Sequence, residues 1–259
     1  MKKAVFFDID GTLWNYQMQI PESAVWAIRK LRENGHYAFI CSGRSRSNIQ
    51  SPKLLGIGFD GVVASCGAHI DFHKETAYQV LLTEKQVTYA LNVLKNHMPV
   101  VLEGPEYVYV NESDFMDDPY VIHLRKELGE HLKNIPSDHS KIRINKMSSI
   151  APDVDEESFV KDMGEDFDVV IHGQGIIEIN PAGISKATGI RKVCEMLDIP
   201  HENTFAFGDS ANDLEMLAYV AHSIAMGNGT DKVKNTAEFV TRSVDEDGIL
   251  HGLKHYGLI

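Results

Sequence analysis

Ala4-Val5-Phe6-Phe7 is an uninterrupted apolar run that ends on two carboxylates, Asp8 and Asp10. Four apolar residues with no polar partner face read as a strand buried on both sides. Downstream, Pro21-Glu22 opens a segment in which Ala24, Val25, Ile28 and Leu31 recur at helical spacing, and Gly35 ends it. Tyr37 to Cys41 is a second apolar strand, Arg46 to Leu55 reads as helix, and Phe59 to Ser65 is a third strand. Ile70 to Phe72 and Tyr78 to Leu81 are spaced for a hairpin. Strands alternating with helices predict a parallel sheet covered on both faces.

The middle of the chain has another rhythm. Thr83 caps a helix running to about His97, and "VVLEGPEYVYVN" predicts two strands turned at Gly104-Pro105. A helix is expected over 119–132, an alternating strand over 141–150, a helix over 155–164 and a hairpin in "FDVVIHGQGIIEINP". After about Asn180 the first rhythm resumes. Helices are expected over 186–197, 212–218, 230–235 and 248–255, with strands at Thr204–Phe207 and His222–Ala225. The reading is therefore an α/β chain with one Rossmann-like parallel core, residues 1–82 and 182–259. That core is split by an α+β insertion, residues 83–181.

Composition narrows the function classes. A chain of 259 residues with 43% hydrophobic and 24% charged residues builds a packed core. A formal net charge of −12 repels nucleic acid and anionic membranes on average, so neither is an expected partner. No uninterrupted apolar run long enough for a membrane span occurs, and Lys2-Lys3 leads straight into the first strand without a signal-like segment. Cys41, Cys66 and Cys194 lack metal-type spacing and read as reduced thiols of a cytoplasmic protein.

In an open parallel sheet, ligands bind beyond the carboxyl ends of the strands. Beyond the first strand stand Asp8 and Asp10, beyond the second Ser42-Gly43-Arg44, and beyond "FAFG" Asp209, followed by Asn212 and Asp213. Lys186 opens the helix after the insertion. Two carboxylates at the end of a buried strand repel each other unless something positive sits with them. Hard carboxylate oxygens suit Mg²⁺, while Lys186, Ser42 and helix-start N–H groups suit phosphate oxygens. A calcium loop is excluded at Asp8, because Gly11 follows three residues on and no Glu takes the twelfth position. Arg44 reads as structural, Tyr107 and Tyr109 as packing residues of the insertion, and His172 as a candidate substrate contact there.

"DIDGT", "CSGR", "GISKATGI" and "GDSANDLEML", in that order, resemble the four signatures of the haloacid dehalogenase-like phosphatase superfamily. The gap from Ser42 to Lys186 is the long one, which is similar to the Cof-type, subclass IIB branch with its inserted cap domain of C2B type. The resemblance implies Asp8 as nucleophile and Asp10 as general acid and base. Phosphate is then held by Ser42, Gly43, Lys186 and Asn212. It implies Mg²⁺ held by the Asp8 carboxylate, the Asp10 main-chain carbonyl and Asp209, with Asp213 in support. The implied substrate is a small phosphate ester, with sugar phosphates foremost, and the protein a monomer or small homo-oligomer. A phosphomutase of the same fold needs cap groups to hold a reorienting substrate, and the insertion offers only Arg125, Lys126, Arg143 and Lys146. A non-catalytic phosphate-binding module is disfavoured by the intact acidic positions. "ASCGAHI" departs from the family pattern, which often has Asn where Cys66 stands, so no substrate contact is carried over to it.

Overall fold

The computed structural model describes residues 1–94, 100–111, 116–151, 153–171 and 175–259, leaving aside the side chains of 120 and 123. The chain packs as two compact units. The first comprises Met1–Gly43, Gln50–Tyr78 and Ser185–Ile259; the second comprises Arg44–Ile49 and Gln79–Ile184.

The first unit is built on β1 (Ala4–Phe7), β2 (Tyr37–Cys41), β3 (Gly61–Ala64), β4 (His69–Phe72) and β5 (Glu75–Gln79). Its sheet continues with β12 (Thr204–Gly208), β13 (His222–Ala225) and β14 (Phe239–Val240). The strand order is β14-β13-β12-β1-β2-β3-β4-β5. The first six in that order run parallel, and β4 turns back antiparallel on β3. The helices are α1 (Glu22–Glu33), α2 (Pro52–Leu55), α6 (Lys186–Leu197), α7 (Leu214–Tyr219), α8 (Asp231–Thr236) and α9 (Gly248–His255).

Alternation along the strands gives each face its own layer. Phe6, Phe39, Val63, Ala206 and Ala225 pack with Ile190 and Val193 of α6, Met216 and Leu217 of α7, and Val233 of α8. On the other face Phe7 stacks on Phe207, and Gly252 lets α9 come down on that ring, where a Cβ would lie 2.5 Å from Phe207 Cε1. α1 packs beside α9 and buries Ala24, Ala27, Ile28 and Leu31. Burying a side chain such as Phe6 or Phe207 contributes about 2–3 kcal/mol, so the doubly covered central strands form the stiffest part of the unit.

The second unit holds β6 (Val100–Glu103), β7 (Val108–Val110), β8 (Leu132–Asn134), β9 (Lys146–Ile150), β10 (Phe167–Ile171) and β11 (Ile176–Pro181). They form one sheet in the order β10-β11-β9-β6-β7-β8. Helices α3 (Glu84–Val93) and α5 (Glu156–Met163) cover one face through Val87, Ala90, Phe159 and Met163. Helix α4 (Pro119–Leu128) covers Val101, Val108 and Val110 through Val121, Leu124 and Leu128. Arg44–Ile49 is held within this unit. Ser45 N–H donates to Glu103 Oε2 at 3.3 Å, Ser47 Oγ donates to the Gly104 carbonyl at 2.8 Å, and Arg44 pairs with Glu127 at 2.7 Å.

Four local expectations are corrected. The helix over 46–55 is a single turn at Arg46–Asn48 and then α2, because Pro52 keeps Ser51 out of helical geometry and Ser51 caps the new start instead. The helix over 119–132 stops at Leu128, since Gly129 takes φ +52 and Leu132 begins β8 beside β7. The strand over 141–150 begins only at Lys146. The second hairpin strand starts at Glu75, ahead of the expected Tyr78. Strand β14, two residues long, was too short to read. Among the described residues, no helix is long and apolar enough to cross a membrane.

Candidate active site

The residues predicted to act in catalysis, to hold the metal and to hold phosphate all belong to the first unit. β1 lies between β12 and β2, with Phe7 level with Phe207 on one side and Ile40 on the other. The residues that follow these three strands, Asp209, Asp8 and Ser42, therefore emerge on one edge. Connections leave in opposite directions from that point, the arrangement that opens a crevice in a parallel sheet. Asp8 N–H still donates to the Phe207 carbonyl at 3.0 Å, so the nucleophile candidate stays tied to the sheet.

Lys186 is the hub. It is the first residue of α6, after an N-cap at Ser185 whose side chain and that of Thr188 bond each other's backbone N–H. An ammonium at the positive end of a helix is unfavourable by itself. Here it is buried and donates to Asp8 Oδ1 at 2.6 Å, Asp213 Oδ1 at 2.6 Å and Asn212 Oδ1 at 3.3 Å. Burial works against the Lys186 charge, but Asp213 and Asp8 outweigh it and hold the pKa well above the ordinary lysine value.

Asp213 is fully occupied. Its second oxygen accepts from Asp209 N–H at 2.9 Å and Ser210 N–H at 3.0 Å. It organises the loop that carries Asp209. The Asp209 carboxylate accepts from Thr12 Oγ1 at 3.3 Å and stands over Gly11, whose φ is +82. A Cβ on Gly11 would lie 2.3 Å from Asp209 Oδ2, so only glycine lets the two segments approach. Asn228 donates to the Gly11 carbonyl at 2.8 Å and fixes this turn from below.

Asp8, Asp209 and Asp213 offer oxygens within 4.8 Å of one another. With Lys186 they sum to a local charge of −2 when all are ionised. The crowding shows in the protonation equilibria. Burial, then Asp213, raises the Asp8 carboxyl well above its ordinary value despite Lys186, and the same two causes push Asp209 up to about 7. A divalent cation would supply the missing charge, and hard oxygens are its preferred donors. The residues present fit one.

The structure thus joins Asp8, Lys186, Asp209, Asn212 and Asp213 in one bonded network. Ser42 and Gly43 are buried one strand away, where Ser42 N–H donates to the Val63 carbonyl at 2.8 Å and its carbonyl accepts from Cys66 N–H at 3.1 Å. Asp10 stands exposed and accepts from the Trp14 indole at 3.0 Å. Cys66 is buried with φ +52, between Ser65 at φ +51 and Gly67 at φ +100. Asn enters this left-handed region more readily than most residues, which gives the family's frequent Asn at this position a backbone reason. Thr12, Trp14, Ser210 and Asn228 went unread as site residues. Thr12 sits inside "DIDGT", and its hydroxyl was the one signal in the sequence that pointed to it. His172 lies outside the described residues.

The haloacid dehalogenase-like hydrolase profile matches residues 5–253. YkrA of Bacillus subtilis (strain 168), named as a phosphatase, is 32% identical over 270 residues that cover 99% of this chain and 98% of that protein. A 5-amino-6-(5-phospho-D-ribitylamino)uracil phosphatase of the same organism, YitU, is 28% identical, covering 97% and 96% of the two chains. The solved structure of the subclass IIB sugar phosphatase BT4131 superposes over the full length of both chains with a TM-score of 0.85 and 26% identity.

Proposed function

This chain belongs to the haloacid dehalogenase-like hydrolases, and from that premise we propose that it is a Mg²⁺-dependent phosphatase of small phosphate monoesters, working through an aspartyl-phosphate on Asp8. One observation carries the reading. Three buried carboxylates converge within 4.8 Å, and a buried lysine is bonded at 2.6 Å to two of them. A structural ion-pair network has no reason to leave two of its acids under-compensated. A site that recruits a cation and a phosphoryl group does.

Asp8 is fixed by the stiffest strand, so its free oxygen can be presented to phosphorus at a defined angle. Attack forms the Asp8 O–P bond as the P–O bond to the leaving group breaks. Asp10 gives its proton to that oxygen. In the second half Asp10 takes a proton from water, the resulting hydroxide attacks phosphorus, and the Asp8 carboxylate is released. The sum is monoester plus water to alcohol plus inorganic phosphate. Lys186, Ser42, the Gly43 N–H and Asn212 are assigned to the phosphoryl oxygens, where fixed donors stabilise the developing charge. Asp8, the Asp10 carbonyl and Asp209 would hold the Mg²⁺, with Asp213 steadying Asp209 from behind. When bound, the cation supplies electrostatic stabilisation of the transferring group.

Two of the three named relatives carry a substrate in their names, a sugar phosphate for one and a phosphorylated ribityl chain for the other. These names support sugar or sugar-alcohol phosphates as the substrate class. The test is a panel of sugar, polyol and nucleoside monophosphates with Mg²⁺, read as released inorganic phosphate. Release that vanishes with EDTA and with Asp8→Asn is the expected result. No release from any ester, p-nitrophenyl phosphate included, overturns the reading.

A further inference from the structure

We propose that Trp14 is a positioning residue for the proton-transfer step, its indole N–H holding the Asp10 carboxyl in the orientation that serves both halves of the reaction. This rests on the phosphatase reading above, and it concerns a residue that lies outside the four signature motifs.

The geometry joins a buried donor to an exposed acceptor, Asp10. Trp14 is 4% exposed, so its ring is held by packing, and its Nε1 donates to Asp10 Oδ1 at 3.0 Å. The backbone between them is closed as tightly. Thr12, Leu13 and Trp14 N–H groups all converge on the Ile9 carbonyl at 3.0–3.3 Å, and Gly11 N–H returns to the Trp14 carbonyl at 2.9 Å. Asp10 and Trp14 form an isolated β-bridge there. The turn continues into Asn15, whose Oδ1 accepts from Gln17 and Gln19 N–H at 3.0 Å and whose amide donates to Asp245 at 2.8 Å. A buried ring on a closed turn therefore sets the direction of an exposed acid.

The chemistry of the donor matters as much as its place. An indole N–H donates and never accepts, and it does not titrate. It can neither take the Asp10 proton nor compete for the substrate's. In the ionised carboxyl it bonds Oδ1, and in the neutral acid it favours Oδ1 as the carbonyl oxygen, which leaves the transferable proton on Oδ2. Asp10 must be an acid in the first half-reaction and a base in the second, and one orientation serves both only if the holding bond survives the change of protonation.

Loss of this bond has a signature that general damage lacks. A p-nitrophenolate leaves without needing a proton, whereas an alkoxide needs one as the P–O bond breaks. The experiment compares wild type and Trp14→Phe in Mg²⁺ on p-nitrophenyl phosphate and on the sugar phosphate that wild type turns over best. The readout is kcat/KM, which ends at departure of the leaving group. The expected result is a fall of about tenfold on the sugar phosphate with less than about twofold on p-nitrophenyl phosphate, the size of one hydrogen bond acting on the acid. If Trp14→Phe gives no cooperative melt, benzothienylalanine at position 14 keeps the bicycle and replaces the N–H with sulfur, and the same comparison is made. Equal loss on both esters, or no loss on either, overturns the assignment of Trp14 while leaving the phosphatase reading in place. Failure of wild type to release phosphate from any ester overturns the underlying reading, and this proposal with it.

Discussion

Without divalent ions, the folded protein should lose stability as pH rises from about 4 to about 7, with the Asp209 carboxyl contributing alongside Asp8. Its carboxyl keeps its proton up to about 7 in the folded state, against 3.8 for an ordinary aspartate. Burial is the largest cause and the Asp213 carboxylate the next, while Lys186 and the Thr12 hydroxyl pull the other way. Between those two values the folded chain holds a proton that the unfolded chain has released, so unfolding becomes more favourable as pH climbs through the window and then levels off. The gap from 3.8 to about 7 caps the effect at about 4 kcal/mol. Because Asp8 is held up by the same crowding and shares the burden, about 2 kcal/mol is the figure to look for, or about 5 °C in Tm for a chain of this size. His36 and His251, both held below the ordinary imidazole value chiefly by burial, push stability the opposite way. The Asp209→Asn variant therefore serves as the reference that isolates the carboxyl. Thermal melts in EDTA across the window should show wild type falling relative to that variant, and millimolar Mg²⁺ should remove the difference by favouring the ionised cluster. A wild-type profile parallel to that of Asp209→Asn, or one unmoved by Mg²⁺ above pH 7, would refute the reasoning.

Asp8→Asn should reduce phosphate release by about 10³-fold or more, as expected when a nucleophile is removed, with an unchanged circular dichroism spectrum. Lys186→Met should cost about 3–5 kcal/mol in urea unfolding, since it strands Asp8 and Asp213 in a buried site without their shared partner. A variant as stable as wild type would show that the network carries no such tension. Gly11→Ala places a methyl group against Asp209 at a positive φ and should cost about 1–3 kcal/mol, together with a Mg²⁺ affinity lowered about tenfold or more by calorimetry. Unchanged affinity would separate this turn from the cation site.

The strands and the acids at their ends were legible because both obey local rules. An apolar run such as Ala4–Phe7 has no amphipathic alternative, and a carboxylate placed directly after it has one edge of the sheet to occupy. Helices with strong punctuation were equally plain. α6 opens at Lys186 and α5 ends at Gly164, as Ser185 and that glycine dictate. What escaped was set by tertiary competition. Leu132 could extend a helix or join β7, and pairing with Val108 decided it. Within the site, the sequence supplied the participants and left their bonding open. That Lys186 bonds two aspartates, or that Asp213 spends both its oxygens inside the protein, depends on distances between segments far apart in the chain. Trp14 was invisible for a simpler reason, as a lone aromatic after a turn is most often packing.

The second unit is not assembled from one continuous stretch. Its small outlying portion, Arg44–Ile49, follows Gly43 directly and is bonded by Ser45 and Ser47 to Glu103 and Gly104. Anyone grafting a different insertion onto this scaffold, in order to redirect its substrate choice, should therefore exchange two pieces. A chimera that swaps only the long segment, which carries Glu103 and Gly104, would leave Ser45 and Ser47 buried without their counterparts, and would misfold locally at the start of that short piece.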